Sequence, residues 1–146
     1  MAAKRARFNI FAHTADLGIE LRAPALSALF ACAARALSTL LVAGKVRCGP
    51  IACARIEAAD RETLLVDWLN ELLYQSEDKD IAFRDFHITS LDTSMTSHAP
   101  AMARLHATVV GGPVRELRRT IKAATFNALA IRRLDNGYEA EIVFDV

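Results

Sequence analysis

The chain has 146 residues, 53% hydrophobic and 24% charged, with a net charge of +1. This composition builds a globular domain with a sizeable core and excludes a disordered chain. So even a charge balance also excludes a protein devoted to neutralising long runs of phosphate, though it leaves room for a local basic patch.

The start, Lys4-Arg5-Ala6-Arg7, is basic and leads into a strand, not into an apolar signal core. From Arg7 to Ala12 apolar and other residues alternate, the period of a strand. Ala12-His13-Thr14-Ala15-Asp16-Leu17-Gly18 then reads as a tight corner, because Thr14 and Asp16 can bond nearby amides and Gly18 is permissive. Leu17, Ile19 and Leu21 alternate on a second strand, which Pro24 ends. A helix is predicted from Ala25 to Val42: Leu26, Leu29, Phe30, Ala33, Leu37, Leu40 and Leu41 recur at helical spacing, and Gly44 is a plausible stop. Arg35 interrupts this run, which is too amphipathic and too short for a membrane span.

Gly49-Pro50 reads as a turn and Ala52–Ala58 as a strand. Asp60 is a candidate N-cap for a second helix reaching about Gln75. Its apolar face is Leu64, Leu65, Trp68, Leu69, Leu72 and Leu73; Asp67, Asn70, Glu71 and Tyr74 make a polar stripe. Strands are expected at about Ala82–Leu91 and Met102–Val110, with a solvated loop between them and a break at Gly111-Gly112-Pro113. Asn136-Gly137 predicts a hairpin with a type I′ turn, closed by a strand over Tyr138–Val146. These elements make an α+β domain: a mostly antiparallel or mixed β-sheet with two long helices packed on one face.

Cys32, Cys48 and Cys53 are an odd set without CxxC spacing. They point to reduced, mostly buried thiols of a cytoplasmic protein, away from a disulfide framework or a four-ligand zinc site. No GxSxG elbow and no phosphate-cradling GxxxxGK[ST] occurs, and the histidines lack ligand spacing, so the chain is not expected to be an enzyme.

The chemistry-bearing candidates lie at the two ends. If the opening corner meets the closing strand, Asp16, Asp145 and the terminal carboxylate of Val146 converge. Such a cluster repels itself unless a hard cation compensates it, and calcium suits an oxygen-only, irregular site best, with another divalent cation such as magnesium also fitting. The simpler reading makes Asp16 a turn cap and Asp145 a solvated strand end, and it is the commoner outcome for such motifs. Asp67 and Glu71 resemble an acid pair, but on an amphipathic helix they are usually a solvated edge. Arg115, Arg118, Arg119 and Lys122 form the main basic concentration, able to meet an acidic partner or a nucleic-acid backbone, or to serve as an ordinary charged face.

Five stretches occur in the order found in archease, and the chain resembles that family over nearly its whole length. They are Phe11-Ala12-His13-Thr14-Ala15-Asp16-Leu17-Gly18-Ile19, Leu29-Phe30 to Ala36-Leu37, Leu64-Leu65-Val66-Asp67-Trp68-Leu69-Asn70-Glu71-Leu72-Leu73-Tyr74, Lys122-Ala123-Ala124-Thr125 and Phe144-Asp145-Val146. The resemblance implies a single archease-like domain over residues 1–146. It also implies a metal-binding accessory protein of the GTP- and manganese-dependent RtcB-type RNA ligase, promoting guanylylation and multiple turnover in tRNA splicing and RNA repair. The family's metal, usually assigned to calcium, would fall on Asp16, Asp145 and Val146, and Lys122 would contact the partner. RNA would be met only indirectly or weakly, and membranes not at all. Where many relatives carry Tyr-His, this chain has Phe126-Asn127, and its loop from Gly111 to Arg119 lacks the Asp and His often found there. Two other readings stay open: a chaperone-like RNA- or protein-binding modulator using the Arg115–Lys122 surface, and a metal-dependent hydrolase.

Overall fold

The computed structural model describes residues 5–13, 16–42, 49, 51–93, 102–113, 117–126 and 129–146. In chain order the elements are β1 (Arg7–His13), β2 (Asp16–Ala23), α1 (Leu26–Leu41), β3 (Ile51–Ala58) and α2 (Arg61–Lys79). They continue with β4 (Ile81–Asp92), β5 (Ala103–Pro113), β6 (Ala123–Thr125), β7 (Arg132–Leu134) and β8 (Gly137–Asp145). The class is the α+β arrangement expected. The strands divide into two antiparallel sheets: a five-stranded one ordered β1-β2-β8-β6, with β7 also pairing β8, and a three-stranded one ordered β3-β5-β4.

The first sheet is closed by the pairing of β2 with β8, whose register runs from Leu17 opposite Phe144 to Ala23 opposite Tyr138. Because side chains alternate, this register sets Leu17, Ile19 and Leu21 on one face with Phe144, Ile142 and Ala140. That inner face meets the helices: Ile19, Ile142 and Phe144 are wholly buried. α1 packs on β2 of one sheet and β4 of the other, and α2 on β6 and β3, so both helices touch both sheets. α1 is accordingly buried over most of its surface, and its small residues Cys32, Ala33, Ala34 and Ala36 are fully covered. Trp68 of α2 is fully buried, and its indole Nε1–H donates to the Phe30 carbonyl of α1 at 3.0 Å. A buried indole needs such a partner.

Asp60 caps α2 as its sequence predicts, its Oδ1 accepting the Thr63 amide at 2.7 Å. That bond holds the Asp60 carboxyl below the ordinary carboxylate range. Three local expectations are corrected. Gly111-Gly112-Pro113 does not break the chain; it continues β5, opposite Phe83, Ala82 and Ile81 of β4. A Cβ on Gly111 would lie 2.5 Å from the Ala82 carbonyl oxygen, so these glycines serve close strand approach. The β7–β8 hairpin exists, but Leu134 pairs with Gly137, so Asp135 and Asn136 form its loop. Neither has a positive φ, whereas a type I′ turn on Asn136-Gly137 needs it at both; Gly137 alone carries it, at 152°. Cys32 is buried as expected, but Cys53 is exposed. The predicted stop at Gly44, Cys48 and the loop after Thr93 through Ala101 lie outside the described residues.

Candidate metal centre

Residues of the first sheet that point away from the helices form four successive rows across the strands. The register gives them as Arg7–Arg22–Glu139–Arg132, then Asn9–Glu20–Glu141, then Phe11–Gly18–Val143–Thr125. One step beyond Leu17–Phe144, the same register sets Asp16 across from Asp145, and Ala123 of β6 lies on the other side of Asp145. The fourth row therefore holds two of the three residues expected to ligate, on neighbouring strands, facing away from the core. Val146 follows directly and is 40% exposed. Thr14 and Ala15 of the corner lie outside the described residues, and His13 pairs with Asp16.

Sequence folds the corner this way because strands β1 and β2 are joined by only two residues, which forces antiparallel neighbours. The row next to the corner is apolar. The Phe11 ring covers Gly18 so closely that a Cβ there would sit 2.1 Å from the Phe11 Cζ. Val143, next in that row, is only 3% exposed although it belongs to the outer face. Thr125 Oγ1 donates to the Val143 carbonyl at 2.8 Å, tying β6 to the same row. The acidic corner thus has a packed, water-poor border on its inner side and an open rim at the strand ends, where Asp145 is exposed.

The main chain around the corner is held by two further sets of bonds. The Lys122 amide donates to the Asp145 carbonyl at 2.8 Å. One strand further out, Asn70 of α2 bonds the edge strand as another strand would: its Oδ1 accepts the Ala124 amide at 2.8 Å, and its Nδ2 donates to the Ala124 carbonyl at 3.4 Å. Sequence reasoning places Asn70 in a polar stripe without a role. Its signal is an amide side chain, able to give and take a bond, among carboxylates on a helix edge. The Lys122 side chain is exposed and shares a hollow of about 680 Å³ with Glu77, Asp80 and Leu117, beside α2.

The other candidates separate from this corner. Asp67 is half-buried, and burial pushes its carboxyl up. Glu71 accepts from Gln75 Nε2 at 2.8 Å, one helical turn on, which is the structural edge its spacing predicts. Arg118 donates its amide to the Leu41 carbonyl at 2.7 Å and is exposed, while Arg115 lies outside the described residues. Among the described residues no three His, Cys, Asp or Glu side chains converge as a metal cluster. A site at the corner would therefore rest on the carboxylates of Asp16 and Asp145 with main-chain or terminal oxygens of Val146. A donor set of oxygens alone would suit calcium or magnesium and not a softer metal.

Fold and corner together define a small α+β domain whose first hairpin and last strand share an oxygen-rich acidic edge. The model of the Archease protein family (MTH1598/TM1083) matches residues 8–146, and the chain belongs to that family. It is 28% identical to protein archease of Methanosarcina barkeri, with both chains covered entirely, and 32% identical to that of Saccharolobus islandicus, covering 95% of this chain and 98% of the relative. Among solved structures, protein 1598 of Methanobacterium thermoautotrophicum superposes with a TM-score of 0.79 at 28% identity, covering 95% of this chain and 98% of that one. An archease of Thermotoga maritima, described as a possible chaperone, shares the fold with a TM-score of 0.59 at 18% identity, over 93% and 94% of the two chains. Among the described residues no helix is long and apolar enough to cross a membrane.

Proposed function

We propose that this chain is a non-catalytic accessory protein of an RtcB-type RNA ligase and that it acts through a divalent cation held at the acidic corner. The single observation that supports the reading is the β2–β8 register, which, continued one step past Leu17–Phe144, would bring Asp16 level with Asp145 at the strand ends. Membership of the archease family supports the accessory role. Asp16 and Asp145 would ligate through their carboxylates and Val146 through a main-chain or terminal oxygen, with calcium the cation the donors favour. Such a cation, when bound, cancels the repulsion of the two carboxylates and offers a positive point to ligands of the partner.

The chain's own residues prepare that edge. Phe11, Gly18 and Val143 keep one side packed. Asn70 fixes β6, and the Lys122 amide fixes the carbonyl of Asp145, so the last strand cannot fray away from Asp16. Lys122 stands beside the corner with an exposed ammonium for the partner surface, which the ligase would meet with acidic or phosphate groups.

The experiment is multiple-turnover RNA ligation by an RtcB-type ligase with limiting enzyme. The chain raises product beyond one turnover; Asp16→Asn and Asp145→Asn each abolish most of that stimulation while leaving the folded circular-dichroism spectrum intact. Full stimulation by both variants removes the corner from the mechanism.

A further inference from the structure

The opposite end of the same outer face carries an arrangement that folding alone does not explain. Arg7 of β1 is directly across from Arg22 of β2, and one row on, Glu20 of β2 is directly across from Glu141 of β8. Like charges directly opposite destabilise a sheet, and exchanging one member of each pair would have made ion pairs instead. Local conflict of this kind collects at functional sites. Arg22 reaches Glu139 at 3.2 Å, but among the described residues Arg7 and Arg132 have no ion-pair partner. These side chains line two hollows that share Arg7 and Arg22. The first, of about 460 Å³, adds Arg132, Glu20, Glu139 and Glu141; the second, of about 410 Å³, adds Arg5 and Tyr138. Both are of the size that holds a small metabolite.

We propose that this end of the face binds a nucleotide-class monophosphate, with its phosphate on Arg7 and Arg22 and its sugar hydroxyls on Glu20 and Glu141. Arg7, Arg22 and Arg132 against the single carboxylate of Glu139 leave this row two positive charges, which match a phosphate dianion, and guanidinium groups offer it a forked geometry. The next row, about 7 Å along the strands, offers carboxylate acceptors, which want hydroxyl or amino donors and reject further anionic charge. A pentose carried on a single phosphate satisfies both rows; a polyphosphate does not, because its second phosphate would meet Glu20 and Glu141. The source is a free mononucleotide: at the 5′-phosphorylated end of a strand the 3′ oxygen is esterified to a second phosphate, which would meet Glu20 and Glu141 as the second phosphate of a polyphosphate does. This site is about three rows away from the acidic corner and does not depend on it.

Calorimetric titration of the full chain with AMP, adenosine, inorganic phosphate and a short 5′-phosphorylated or unphosphorylated oligonucleotide tests the proposal. AMP saturates the chain, and adenosine and both oligonucleotides bind at least tenfold more weakly. Saturation by the phosphorylated strand alone, or as tightly as by AMP, overturns the placement of the sugar on Glu20 and Glu141. Arg7→Gln, on an edge strand, weakens binding tenfold or more, and Glu20→Gln removes the preference for AMP over inorganic phosphate. Asp145→Asn leaves the affinity unchanged, which separates this site from the ligase-activating corner. Absence of saturation by any phosphorylated probe at millimolar concentration overturns the proposal. So does unaltered affinity in a folded Arg7→Gln variant, and so does equal affinity for adenosine and AMP.

Discussion

The two faces of the five-stranded sheet are made by the same strands and follow opposite rules. On the inner face the central pairs of β2 with β8 are apolar, and Ile19 with Ile142 and Leu21 with Ala140 are buried, with Leu17 and Phe144 packed beside them. On the outer face three of four rows contain a like-charge pair: Arg7 with Arg22, in a row that also pairs Arg22 and Arg132 with Glu139, then Glu20 with Glu141, and, one step beyond the last ladder pair, Asp16 with Asp145. The inner face specifies the fold, because a slip of one residue would carry its apolar set into water. The outer face carries the charged rows on which both proposed sites rest, alternating with the core residues at the two-residue period of a strand.

The comparison breaks most visibly when an inner residue is cut back. Phe144→Ala empties a fully buried site beneath both helices and is expected to cost about 3–5 kcal/mol, read from urea or thermal unfolding. A loss near that of an exposed residue would mean the inner face is not the organising one. Asn70→Ala sharpens the boundary between the faces, since Asn70 ties α2 to the edge strand beside the acidic corner. Losing its two bonds is expected to cost about 1–3 kcal/mol and to speed amide exchange at Ala124 and Lys122 more than in β2. The smallest effect is expected at Asp67. Burial raises its folded pKa above the unfolded value, so the ionised group penalises the native state at neutral pH. The penalty is full above the raised pKa and disappears as pH falls through it toward the ordinary carboxylate value. Asp67→Asn should therefore raise the urea midpoint slightly at pH 7 and leave it unchanged at low pH; the reverse pH order would contradict the burial argument.

Much of this was legible in the sequence where the cause was local. The cap at Asp60 needs only residues three apart, and α2 follows it with an apolar stripe through Leu64, Trp68 and Leu72. The pairing of the strands that carry Asp16 and Asp145 depends on the apolar alternation of Leu17, Ile19 and Leu21 and of Ala140, Ile142 and Phe144, which the sequence shows. What was not legible depends on partners far along the chain. Gly111-Gly112-Pro113 carries every local mark of a break, yet β4 opposite it supplies bonds that make it strand. Asn70 reads as a solvated polar residue until Ala124, fifty-four positions on, is brought to it. The hairpin at Asp135-Asn136 was located by its turn residues, but the choice of which two form the loop was made by the register of β7 on β8. The division into two sheets was hidden for the same reason: β2 finds β8 across most of the chain.

The most direct test of the corner is calcium titration of the intact chain by calorimetry, compared with the Asp16→Asn/Asp145→Asn double variant. The wild-type chain should bind one cation per molecule, and the double variant should lose at least tenfold in affinity while keeping its unfolding midpoint. Equal affinity in the two proteins would contradict the account.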